Sequence, residues 1–106
     1  MPKYLLQVSY TAEGAKGVLK DGGTRRREAA RAAISSVGGT MDAMYFAFGD
    51  SDVIVIVDAP DTASIIATSL ALNSSGAVTT KTTVLLSPEE VDAATKKSAT
   101  YSAPGR

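Results

Sequence analysis

Val53 to Val57 form an unbroken run of five β-branched residues, Val-Ile-Val-Ile-Val. Such residues favour extended backbone, but a strand with one dry face should alternate apolar with polar, because successive side chains point to opposite sides of a sheet. The preceding stretch makes the same demand. Ala43 to Phe48 places Ala43, Tyr45 and Ala47 on one side and Met44, Phe46 and Phe48 on the other. Between the two runs lie four turn formers, Gly49-Asp50-Ser51-Asp52, so residues 40–48 and 53–57 read as an antiparallel hairpin that needs cover on both faces.

The remaining periods supply that cover on one side. Tyr4 to Tyr10 is a first strand, with Tyr4, Leu6, Val8 and Tyr10 facing one way and Leu5, Gln7 and Ser9 the other. Thr11 offers a cap to a short helix over Ala12 to Lys20, although Gly14 and Gly17 each cost about 1 kcal/mol relative to alanine. Asp21-Gly22-Gly23 ends it. A second helix, capped by Thr24, carries the stripe Ala29, Ala30, Ala33, Ile34 and Val37 and stops at Gly38-Gly39. After Ala59-Pro60, Asp61 caps a helix whose stripe is Ala63, Ile66, Ala67 and Leu70, and Val78 to Leu86 is the last strand. Ser87-Pro88-Glu89-Glu90 then combines a cap, a proline at the first helical position and a capping-box glutamate, opening a short helix to about Thr95.

The order strand, helix, strand, strand, helix, strand is the split βαβ pattern of ferredoxin-like α+β domains. Both main helices then lie on one face of a four-stranded antiparallel sheet, with a short extra helix at the C-terminus. Residues 1–95 read as one domain and 96–106, without apolar period, as a mobile tail. The uncovered face still carries apolar residues, so a second copy laid against it, as a homodimer or part of a higher homo-oligomer, is the simplest expectation.

Composition narrows the chemistry. The 106 residues include 11 basic and 11 acidic side chains, no His and no Cys. Thiolate chemistry, cysteine zinc sites and the usual near-neutral general base are thereby excluded. Net zero charge disfavours nucleic acid as a partner, yet the zero is unevenly built. Residues 1–31 carry seven basic groups against three acidic ones, whereas 32–80 carry five aspartates and no base. Such a dipolar protomer can pair head to tail with its copy. No targeting segment is legible, and the longest apolar run, Ala43 to Phe48, is six residues where a membrane helix needs about 20. The expectation is a soluble, cytoplasmic protein with no membrane partner.

Three features compete as sites. Asp50 and Asp52 suit a hard cation, but Val55 stands where a calcium loop needs glycine, and ordinary turn chemistry accounts for both, so no metal is expected. Arg25-Arg26-Arg27 at a helix start can clamp an anion, or can simply be a solvated face with Glu28 and Arg31 beside it. Tyrosines are the stronger handles, because any acid or base chemistry here must use Tyr, Asp, Glu or Lys. Tyr10, Tyr45 and Asp52 are the catalytic candidates. Gln7, Ser9, Tyr45 and Lys81 are the ligand-binding candidates, with Thr80 and Thr82 replacing Lys81 if the last strand has the other parity. Equally, these are plain polar positions on a sheet or dimer interface.

The sequence also resembles the GYD domain family. The resemblance is carried by Met-Pro-Lys-Tyr at the start, Thr11-Ala12-Glu13-Gly14, Glu28-Ala29-Ala30-Arg31, Val37-Gly38-Gly39, Tyr45-Phe46-Ala47-Phe48-Gly49 and Val57-Asp58-Ala59-Pro60-Asp61, over roughly residues 2–90. The naming motif, Gly, any residue, Tyr and Asp, stands here as Gly49-Asp50-Ser51-Asp52, with Ser51 in the tyrosine's place. The resemblance implies a dimeric α+β barrel without a shared reaction. Related barrels include cofactor-free monooxygenases, isomerases, cyclases, haem-binding degraders and ligand sensors, many with a pocket between sheet and helices or at the subunit interface. The leading expectation is a non-catalytic, cofactor-free binding or sensing module for a small, largely apolar molecule. A cofactor-free enzyme and a purely structural oligomer are the alternatives.

Overall fold

A computed structural model describes residues 1–106. The chain runs β1 (Lys3–Tyr10), α1 (Ala12–Ser36), β2 (Thr40–Phe46), β3 (Val53–Asp58), α2 (Thr62–Ser74), β4 (Val78–Leu85) and α3 (Pro88–Thr95). The strands form one sheet in the order β2-β3-β1-β4, and every neighbouring pair is antiparallel.

The helix starts follow local chemistry. The Thr11 hydroxyl accepts from the Gly14 N–H, and the Asp61 carboxylate accepts from the Ser64 hydroxyl and N–H, which together hold its pKa below the ordinary value. Ser87 and Glu90 close a reciprocal capping box. Two expectations are corrected. The helices expected over 12–20 and 24–37 are one element, kinked rather than interrupted, because only Gly22 leaves helical geometry (φ 79°, ψ 170°) while its neighbours stay helical. The first hairpin strand ends at Phe46, not Phe48, since Phe48 adopts the left-handed region (φ 52°) and turns the chain.

The core lies between the sheet and the two long helices. Tyr4, Leu6 and Val8 of β1 and Val53, Val55 and Val57 of β3 meet Ile34 of α1 and Ile65 of α2. Alternation places the side chains of β1 and β3 as expected, but α2 is rotated from the sequence reading. Its buried residues are Ile65 and Thr68, whereas Ile66 and Leu70 of the expected stripe are 51% and 66% exposed. Apolar and small polar residues are mixed around this helix, so its period had no single dry side to declare. Thr68 can face inward because its hydroxyl is satisfied within the helix by the Ser64 carbonyl, at 3.0 Å.

The other sheet face has no cover within the chain. It presents Leu5, Gln7 and Ser9 from β1, Ala43 and Tyr45 from β2, Ile54 and Ile56 from β3, and Thr79, Lys81 and Thr83 from β4. A bulge between Met41 and Ala43 turns Asp42 toward Lys3, which pairs with Asp42 and, at 3.1 Å, with Asp58. The radius of gyration is 16.8 Å, against about 13 Å for a compact domain of roughly 100 residues. At the C-terminal end α3 buries none of its residues. No helix is long and apolar enough to cross a membrane.

The Lys3 cluster gives a titration test. Hydrogen bonding from Lys3 holds the Asp42 carboxyl below its ordinary pKa, and the same contact raises Lys3. A lowered carboxylate contributes stability above its unfolded pKa and loses it as pH falls through the folded one. In Lys3→Met, the Asp42 midpoint followed by carboxyl carbon NMR should therefore rise toward the free-aspartate value. An unchanged midpoint would show that the pair does not persist in solution.

Candidate functional site

The sheet has two faces, and the sequence candidates divide between them. On the open face, register aligns Tyr45 with Ile54, Ile54 with Gln7, and Gln7 with Lys81 in one row across all four strands. Ser9 lies on the same face, opposite Thr79. The four ligand-binding candidates therefore share a surface, and Lys81 rather than Thr80 or Thr82 joins Gln7. Thr82 and Thr80 instead face α2, where they bond Ser69 at 3.2 Å and Asn73 at 2.8 Å. The row is long, however. Strands are spaced about 4.8 Å apart, so Tyr45 and Lys81 stand roughly 14 Å apart and cannot grip one small molecule together.

The helix-covered face holds a groove instead. α1 packs mainly on β2 and α2 on β4, which leaves the middle of the sheet under-filled. A cavity of about 80 Å³ results, open to solvent, with Leu6, Val8, Tyr10, Met44, Val53, Val55 and Val78 toward the sheet. Its walls are Ala29, Ala30, Ala33 and Ile34 of α1 and Thr68 and Leu72 of α2, and 12 of its 14 lining residues are hydrophobic. Three alanines on the sheet-facing side of α1 are too small to fill the space between the helices. The sequence reading took them only as a helix stripe; a row of small side chains where a core needs volume was the available signal. Arg26, also lining the cavity, was read within a solvated basic turn and was missed as a groove residue.

Tyr10 and Asp52 meet at one end of this groove. The Tyr10 backbone N–H donates to the Asp52 carboxylate at 2.8 Å. Burial pushes the Tyr10 phenol up, the Arg26 guanidinium beside it opposes the rise, and Asp52 adds to it. The phenol is therefore protonated at physiological pH and able to donate a hydrogen bond. Tyr45, the third catalytic candidate, is 68% exposed on the opposite face, so the trio does not converge. No three carboxylates stand close enough together to hold a metal ion.

The model of the GYD domain family matches residues 4–95, well over half of the sequence. The chain belongs to the GYD domain family. Neither the curated proteins nor the solved structures compared with it contain a match. In this GYD domain the motif segment Gly49 to Asp52 closes the β2–β3 hairpin, and its aspartate has a structural task. The Asp52 N–H donates to the Val8 carbonyl and its own carbonyl accepts from Ala47, both at 2.9 Å, while the side chain takes the Tyr10 N–H. Asp52 thus ties the end of β1 to the hairpin. Ser51, in the motif's tyrosine position, is buried. Asp52→Ala should lower the unfolding free energy by about 1 kcal/mol, the net worth of one hydrogen bond at a half-buried site, and Asp52→Asn by less. Urea titration of both variants checks this.

Proposed function

We propose that this GYD domain is a binding or sensing module that holds a small, largely apolar molecule in the groove between its helices and its sheet. The observation that carries this reading is the groove's lining, 12 hydrophobic residues of 14, with Arg26, Thr68 and the Tyr10 hydroxyl as its polar groups. Small-molecule sites commonly have that composition. Titration with benzyl alcohol, followed in methyl carbon–proton NMR spectra, tests it. Shifts concentrated at Leu6, Val8, Ala30 and Leu72 are expected. Shifts confined to Leu5, Ile54 and Ile56, or none at millimolar ligand, would overturn it.

The fold we propose for the module is ferredoxin-like, two copies forming a dimeric α+β barrel by pairing their open faces. Element order and sheet order support this reading, as do the half-exposed Leu5, Ile54 and Ile56 on a face that no helix covers. Ile54→Asp places a carboxylate at the middle of that face. Dissociation should become at least about tenfold easier, or about 1.4 kcal/mol, as measured by sedimentation velocity. A wild-type protein that sediments as a monomer at micromolar concentration would sink the pairing.

A further inference from the structure

Arg26 is an unusual wall for an apolar groove. Of the groove's polar lining groups, the Thr68 hydroxyl is already bonded to Ser64, which leaves the Arg26 guanidinium and the Tyr10 phenol to meet an occupant. Arg26 is only 38% exposed in its side chain, and its one acidic partner, Asp21, accepts at 3.4 Å while also pairing with Arg25 at 3.8 Å. A guanidinium has five donors, so this long, shared contact and the approach to the Tyr10 phenol still leave donors free.

We infer that the Tyr10–Arg26 end of the groove is an anion subsite, and that the ligand class is an apolar monocarboxylate whose carboxylate accepts from Arg26 and the Tyr10 hydroxyl while its body lies over Leu6 and the α1 alanines. This rests on the binding reading proposed above and specifies its ligand. Local charge favours the anion, since residues 21–31 hold four arginines against Asp21 and Glu28. The same two residues also line a second cavity of about 110 Å³, but Glu13 lines that one. Glu13 disfavours a carboxylate there, whereas the acids nearest the groove end, Asp21 and Asp52, are already engaged by Arg26 and by the Tyr10 N–H. Burial keeps the Tyr10 phenol protonated and able to donate.

Benzoate against benzyl alcohol is the test, because the two share a ring and differ in charge. Benzoate should bind wild-type protein about tenfold more tightly, the scale of one charge-assisted hydrogen bond, and should shift the Arg26 Nε–Hε signal, which benzyl alcohol should leave in place. In Arg26→Gln the preference should vanish, the ratio of benzoate to benzyl alcohol affinity falling to about one. Equal binding of the two probes to wild-type protein, or a benzoate preference that survives Arg26→Gln, overturns the anion subsite while leaving the groove reading intact. The Arg26 signal in wild-type protein decides the matter even if the variant fails to fold. Failure of both probes to bind the groove overturns the underlying reading itself.

Discussion

Leu6→Ala should cost about 3–5 kcal/mol of unfolding free energy, read from urea titrations at a fixed protein concentration. Leu6 is 2% exposed, sits at the middle of the central strand β1 and forms part of the floor of the groove. Removing three side-chain carbons forfeits their transfer free energy and enlarges a void that the surrounding helices already fail to fill. The site has little means of collapsing inward, which places the cost in the upper part of the range seen for buried leucines. A domain of this size has only about 5–15 kcal/mol to lose. Ile66→Ala on α2 is the matched control, since Ile66 is 51% exposed and should cost well under about 1 kcal/mol. Similar losses from the two substitutions would return α2 to the orientation its sequence stripe suggested.

That contrast marks where the fold was legible. Strand faces could be read because their period is two and the β1 pattern admits one register, so Tyr4, Leu6 and Val8 fall on the core side as written. The caps at Thr11, Asp61 and Ser87 could be read because each sits directly before its helix. The facing of α2 could not, because Ile65 and Leu72 offer one apolar side and Ile66 and Leu70 an adjacent one, and only tertiary packing chooses between them. The open face was legible as a demand for cover, from the two-sided apolar run Val53 to Val57. The groove was not, since it arises from the separation of α1 and α2, a quantity no local pattern encodes. Tyr10 and Asp52 stood in the sequence as separate catalytic candidates, and no local pattern announced that the Asp52 carboxylate takes the Tyr10 N–H. The nearness of Arg26 to Tyr10 was not legible either, since Arg26 lies beyond the Gly22 kink in α1.

Gly14→Ala and Gly17→Ala should change stability in opposite directions, although both replace glycine by a better helix former three residues apart in α1. On propensity alone each substitution gains about 1 kcal/mol. At Gly17 nothing lies within 4 Å of the new methyl group, so the gain should be realised as about 0.5–1 kcal/mol. At Gly14 a Cβ would come within 2.0 Å of the Ala77 carbonyl oxygen and 3.0 Å of the Tyr10 ring. That carbonyl is not free to move aside. It accepts the Thr11 N–H at 2.9 Å, and the Thr11 hydroxyl donates to the Gly76 carbonyl at 2.8 Å, so two bonds strap the start of β4 to the start of α1. The methyl group must break this strap or push α1 outward, at a net cost of about 2–3 kcal/mol after the propensity gain. The same displacement would shift Tyr10 and so reach the groove. Parallel urea titrations of the two variants suffice as a check, and equal effects would mean that the Thr11–Ala77 strap does not hold in solution.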